Sequence, residues 1–181
     1  MTTTIWLTGL PSSGKTTLAR AIVERRGTFQ DVEHLDGDVL RREMFPELGF
    51  DRADRMENIR RTGEIAAMLA RHHVLAVVSV IAPYGRARDN VRAAHEARGL
   101  TFIEVHVDAP AEVCAARDVK GLYAGARQGR VTGLTGAGDP YEPPVAPDVR
   151  VDTSRHGVHE CVLSIERTFM SHERHGEEAL T

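Results

Sequence analysis

The stretch Ile5-Trp6-Leu7-Thr8-Gly9-Leu10-Pro11-Ser12-Ser13-Gly14-Lys15-Thr16-Thr17-Leu18-Ala19 decides how the chain folds. It reads as a short buried strand, a loop bounded by glycines and the start of a helix. Residues Gly9 to Thr16 match the spacing G-x-x-x-x-G-K-[ST], and the strand before and helix after are the context that spacing requires. Gly9 and Gly14 allow backbone angles that a side chain forbids. The N–H groups of Pro11-Ser12-Ser13-Gly14-Lys15-Thr16-Thr17, proline excepted, can then turn inward. With the positive end of the following helix they hold a phosphate chain. Lys15 adds a point charge for the terminal phosphates, and the Thr16 hydroxyl is an oxygen ligand suited to Mg²⁺. The expected ligands are therefore a nucleoside triphosphate and Mg²⁺.

Working outward, apolar and polar runs alternate with the periods of strand and helix. A helix follows from Lys15 to about Arg26, then a strand over Val32–Leu35 with Asp36-Gly37-Asp38 at its end. A short helical turn is expected over Val39–Phe45 and a longer helix to about Arg71. Val74–Ile81 is nearly all apolar and reads as a central strand, with a helix to about Ala97 after it. Phe102–Val107 is the fourth strand, and Asp108 reads as a cap for the helix that runs to about Arg117-Asp118. Lys120 to Pro147 holds six glycines and four prolines without clear periodicity. A stretch of that length inside a compact domain is a functional loop or a linker, and only one strand (about Val149–Asp152) and one helix (about Val158–Phe169) follow it. The expectation is an α/β fold with a central, mainly parallel sheet flanked by helices in three layers. One domain spans 1–170, residues 120–147 form a mobile lid, and 171–181 form a polar tail.

Composition excludes several classes. The formal net charge of −3 gives no support to a general nucleic-acid or membrane-surface role. The two cysteines, Cys114 and Cys161, make no metal spacing and no disulfide framework, which suits a reducing cytoplasm. No apolar run is long enough to span a bilayer.

The strand-end acids carry the next inference. Ligands of open parallel sheets gather beyond the carboxyl ends of the strands, where Asp38 and Asp36 sit. Either acid could take a proton from an acceptor hydroxyl or hold Mg²⁺ through water. Arg41, Arg55, Arg86, Arg88, Lys120 and Arg127 are candidates to hold an anionic acceptor and the migrating charge. Phe50 either stacks on a base or packs its own loop. No Asn-Lys-x-Asp base reader is present, so a guanine-nucleotide switch is not indicated. The pattern fits a phosphotransferase that closes over two small substrates.

These residues resemble one family, the adenylylsulfate kinases. The resemblance runs through the phosphate loop, Leu35-Asp36-Gly37-Asp38, Leu48-Gly49-Phe50, Asp54-Arg55-Met56-Glu57-Asn58, Pro83-Tyr84, Lys120-Gly121-Leu122-Tyr123 and Asp139-Pro140-Tyr141-Glu142-Pro143-Pro144. It implies a P-loop kinase fold and ATP-dependent phosphorylation of the 3′-hydroxyl of adenylylsulfate, as in sulfate assimilation. By the resemblance, Asp36 and Asp38 form the acid pair. Arg41, Phe50, Arg55, Asn58, Ile81, Ala82, Lys120 and Leu134 bind the acceptor, and Arg117 lies near the ATP adenine. Lys15 and Lys120 join the two acids as the catalytic set, and kinases of this sort often pair as homodimers. Four positions depart from the family pattern: Val39 stands where an Asn is usual, Ala82 and Gly85 flank Pro83-Tyr84 in place of Ser and Arg, and Leu134 replaces a Phe. The departures leave open a different modified nucleotide as acceptor, such as cytidine diphosphoramidate, and a non-catalytic nucleotide-binding domain is the third reading.

Overall fold

The computed structural model describes residues 2–178, of which 174–178 are described as backbone only. Five strands form one sheet: β1 (Thr3–Thr8), β2 (Val32–Asp36), β3 (Leu75–Ser79), β4 (Thr101–Asp108) and β5 (Val149–Asp152). Their order is β2-β3-β1-β4-β5, and every pairing is parallel. Parallel neighbours need a crossover, and helices supply it. These are α1 (Lys15–Arg26), α2 (Gly37–Glu43), α3 (Arg52–Arg71), α4 (Gly85–Glu96), α5 (Ala111–Arg117), α6 (Leu122–Arg127) and α7 (Val158–Glu178).

Strand alternation divides the core into two halves. On one face Ile5, Leu7, Leu75, Val77, Ile103 and Val105 meet Leu18 and Ile22 of α1 and Ile165 and Phe169 of α7. On the other, Trp6, Ala76, Val78 and Phe102 meet Ile59 and Ala66 of α3 and Val91 of α4. Each fully buried branched or aromatic side chain contributes about 1.5–3 kcal/mol. Because both faces are covered, β3 and the Ile5–Leu7 part of β1 read as nearly unbroken apolar runs. β1 lies in the middle of the sheet, so the loop that leaves it at Gly9 opens at the centre of the carboxyl edge.

The structure differs from the sequence expectation in three places. Asp108 does not cap α5: Pro110 holds that position without a side-chain bond, and the Asp108 carboxylate instead accepts from Arg150 Nε on β5 at 3.0 Å. The glycine-rich stretch expected to lack periodicity contains α6, whose first amides are met by the Asp118 carboxylate (Tyr123 N–H 2.9 Å, Ala124 N–H 2.8 Å). Helix α7 continues past Phe169 to Glu178, through most of the expected tail, and residues 179–181 lie outside the described residues. Among the described residues no helix is long and apolar enough to cross a membrane.

Candidate active site

A cavity of about 400 Å³ lies across the carboxyl ends of the strands. One side of it is the phosphate loop. Gly14 opens α1 in the left-handed region, φ 101°, and Ser12 also takes a positive φ of 63°. Gly9 is required for a different reason: a Cβ there would lie 2.3 Å from the Val107 carbonyl oxygen. Ser13 is fully buried beneath the loop, its N–H bonded to the Leu10 carbonyl at 3.1 Å and its own carbonyl held by the Thr153 hydroxyl at 2.7 Å. The Tyr123 hydroxyl donates to the Pro11 carbonyl at 3.2 Å. Pro11, Ser12, Gly14, Lys15, Thr16 and Thr17 line the cavity, while Gly9 and Ser13 support it from below.

Lys15 Nζ donates to the carbonyls of Gly9 (2.9 Å) and Leu10 (2.7 Å). Burial lowers its pKa to about 8, against the opposing pull of the Asp38 carboxylate. An ammonium already stripped of water has little hydration left to lose when a phosphate arrives.

The two acids are not equivalent. Asp36 caps α2, accepting from the amides of Asp38 (3.0 Å) and Val39 (3.4 Å). Its other oxygen receives the Thr16 hydroxyl at 3.0 Å and the Ser79 hydroxyl at 3.2 Å, and Ser79 is in turn joined to His34 Nε2 at 2.9 Å. Burial alone would raise the Asp36 pKa, but Thr16 and the two amides outweigh it and hold the carboxyl below its ordinary range. Asp38 is instead ion-paired with Lys120, across the cavity mouth, and keeps its other oxygen uncommitted. The acid in contact with Thr16 is therefore Asp36 rather than Asp38.

The far wall joins α2, the Leu48–Phe50 loop and α3. Arg41 Nη1 donates to the carbonyls of Leu48 (3.2 Å) and Gly49, and its guanidinium lies 4.9 Å over the Phe50 ring. Phe50 is 69% exposed and lines the cavity. Asn58 is buried with its Oδ1 unpartnered. Ile81 and Ala82 close the wall at the exit of β3. Arg117 lies on the opposite side, donating to the Thr153 carbonyl at 2.6 Å.

The arginines expected to hold the anionic acceptor stand in different surroundings. Arg55 lines the cavity, but its donors go to the carbonyls of Phe50 (2.6 Å) and Gly133 (2.6 Å) and to the Thr135 hydroxyl (2.7 Å). It fastens the 133–139 turn to α3. Arg88 is buried, with three protein partners, and neither it nor the exposed Arg86 and Arg127 lines the cavity. Leu134 also does not line it: it packs with Ala109, Cys114 and Tyr123, next to Leu10 of the phosphate loop. A leucine follows the apolar cluster because nothing polar on it resists burial.

The Asp139–Pro144 motif is an anchor. The Tyr141 hydroxyl meets Thr8 Oγ1 at 3.2 Å, the Glu142 N–H donates to the Pro83 carbonyl at 2.8 Å, and the Glu142 carboxylate accepts the Gly85 N–H at 2.7 Å. Burial pushes the Tyr141 phenol up to about 12, so it stays neutral. Sequence reasoning missed the group Thr153, His156, Val158 and Cys161, which lines the cavity beside Arg117. The available signal was their position just after β5, at the same carboxyl edge.

A family model described as "Adenylylsulphate kinase" matches residues 1–152. An adenylyl-sulfate kinase of Synechococcus sp. (strain JA-3-3Ab) is 48% identical over 170 residues, which cover 93% of this chain and 94% of that one. A second, from Synechococcus sp. (strain JA-2-3B'a(2-13)), is 49% identical over 161 residues, covering 88% and 89%. Among solved structures, the Mycobacterium tuberculosis APS kinase CysC in complex with AMPPNP and APS superposes with a TM-score of 0.89 at 36% identity, covering 93% of this chain and 97% of that one. With the family model and both of these relatives spanning most of its length, the chain belongs to the adenylylsulfate kinase family.

Proposed function

We propose that the protein transfers the γ-phosphoryl group of ATP to the ribose 3′-hydroxyl of adenylylsulfate, giving 3′-phosphoadenylylsulfate and ADP. The observation that carries this reading is the cavity itself: Ser12, Gly14, Lys15, Thr16 and Thr17 of the phosphate loop line it together with Asp36 and Asp38 at the carboxyl edge of the sheet. The triphosphate lies in the cup, and Lys15 leaves the Gly9 and Leu10 carbonyls to meet its terminal phosphates. Arg117 borders the adenine end. The acceptor lies at the other end, with its base against Phe50 and polar contacts from Arg41 and Asn58.

The acids then divide the work. Asp36 is held by four donors and is a weak base, which suits it to orient water around a metal ion. The oxygen-rich pair of Thr16 and Asp36 fits Mg²⁺, which would neutralise charge on the β- and γ-phosphates. Asp38 receives the proton of the acceptor hydroxyl as the 3′-oxygen bonds to the γ-phosphorus and the bond from that phosphorus to the ADP oxygen breaks. Lys120 steadies the charge that collects there, and residues 120–132 close over both substrates and exclude water, while the rest of the lid segment stays anchored through Arg55 and Tyr141.

The test is ADP release with ATP and Mg²⁺ against adenylylsulfate, adenosine monophosphate and cytidine diphosphoramidate. Turnover with adenylylsulfate alone is expected. Turnover with another member alone would reassign the acceptor, and tight ATP binding without any turnover would make the chain a nucleotide-binding domain.

A further inference from the structure

Ala82 lines the cavity, is 1% exposed and adopts a φ of 44°, a left-handed conformation that L residues with a Cβ avoid. Something must hold it there. The carbonyls of three consecutive residues are each captured from a different part of the fold: Ile81 by the Thr8 hydroxyl (2.6 Å), Ala82 by Arg88 Nη1 (2.6 Å) and Pro83 by the Glu142 N–H (2.8 Å). A trans peptide sets its N–H opposite its carbonyl, so capture of the Ile81 oxygen by Thr8 also fixes the direction of the Ala82 N–H. Among the described residues that N–H has no protein acceptor.

Arg88 is the centre of this arrangement. It is 3% exposed, and its guanidinium spends three directions on three elements: Nε to Glu104 on β4 (2.8 Å), Nη1 to the Ala82 carbonyl and Nη2 to the Glu142 carbonyl (2.8 Å). Glu104 is itself buried and fixes the fork in place. The planar guanidinium can serve three acceptors at once, which an ammonium on a flexible stem cannot do in the same geometry.

We propose that Arg88 is a positioning residue for the acceptor nucleotide: braced by Glu104, it holds Ala82 in its left-handed turn and so sets the Ile81–Pro83 wall against the acceptor. This rests on the reading that the acceptor occupies this end of the cavity. Arg88 bonds to Glu104, Ala82 and Glu142 and to no residue of the phosphate loop, so the ATP site is expected to register the change far less than the acceptor wall. Arg88 touches neither substrate and acts through the backbone of Ala82.

The experiment compares the intact protein with Arg88→Lys, which keeps the charge opposite Glu104, and with Glu104→Gln, which keeps an acceptor for the fork. Steady-state rates give KM for adenylylsulfate and for ATP separately, and thermal unfolding reports the fold. In Arg88→Lys the acceptor KM is expected to rise about tenfold, with the ATP KM within about twofold; Glu104→Gln moves the same way by less. Glycine takes positive φ without a Cβ clash, so Ala82→Gly added to Arg88→Lys is expected to restore most of the acceptor KM. An unchanged acceptor KM in Arg88→Lys, an equal rise in both KM values, or no recovery on adding Ala82→Gly would overturn the inference. If Arg88→Lys does not fold, Glu104→Gln alone decides on the same KM comparison. Absence of adenylylsulfate turnover in the unaltered protein would instead strike the functional reading, and a wild-type signal keeps the two failures apart.

Discussion

Replacing Arg55 by methionine tests how the 133–139 turn is held to the body of the protein. The guanidinium gives charge-assisted bonds to the Thr135 hydroxyl, the Gly133 carbonyl and the Phe50 carbonyl, and lies 3.6 Å from the Asp139 carboxylate. Thr135 is 1% exposed, so leaving its hydroxyl without a partner costs about 1–3 kcal/mol. Gly133 and Phe50 are exposed and their carbonyls can turn to water, so each loss is about 0.5–1.5 kcal/mol. The sum is about 2–6 kcal/mol, and about 3 kcal/mol, in the lower half of that range, already corresponds to about a hundredfold in an opening equilibrium. That loss falls on the turn rather than on the sheet, because none of these partners belongs to a strand. Hydrogen exchange reads it directly at the amides of Gly136, Ala137 and Asp139, which are bonded inside the turn at 2.7, 2.9 and 3.1 Å. Those amides are expected to exchange about a hundredfold faster while the amides of β1 and β3 keep their rates. Wild-type exchange across the turn would show that Arg55 is not its fastener.

Three further outcomes are expected. Lys15→Ala should lower turnover at least about a hundredfold, because no other side chain in the cup places a charge on the migrating phosphoryl; steady-state ADP release measures it. Asp38→Asn should leave ATP affinity within about twofold and cut kcat about a hundredfold or more, whereas Asp36→Asn should raise the Mg²⁺ concentration needed for half-maximal rate. A nucleotide-fluorescence titration beside a rate measurement separates the two acids. Stability should fall as pH drops below about 6.5: burial lowers the pKa of His34, His95 and His106 from that value, so the unfolded chain binds more protons than the folded one in that range. Melting temperatures between pH 7.5 and 5.5 should show this slope, and His95→Gln should flatten it.

Much of the molecule was legible in the amino-acid sequence, and the limits have physical causes. The apolar runs of β1 and β3 and the helical stripe of α1 are local signals, since burial on both faces or on one face imposes a period that neighbours in sequence display. The phosphate loop was legible because its chemistry is carried by contiguous backbone. The fate of an arginine is not local. Arg88 reads in the sequence as an anion ligand, yet its partners lie at Glu104, Ala82 and Glu142, and those of Arg55 at Gly133 and Thr135, brought near only by the folded chain. Leu134 shows the same limit, because its spacing from the motif says nothing about which cluster it enters. The α6 turn escaped notice since six residues are too few to display a period, and its start depends on the Asp118 carboxylate.

The phosphoryl group is expected to travel from the phosphate loop to a ribose hydroxyl across from it. The most direct measurement is phosphorus–proton correlation NMR on the product made from ATP and adenylylsulfate. A new phosphomonoester coupled to the ribose H3′, formed in equal amount to ADP, is the result expected. A new phosphomonoester coupled to any other position, or ADP formed alongside free phosphate alone, would rule out transfer to the 3′-hydroxyl.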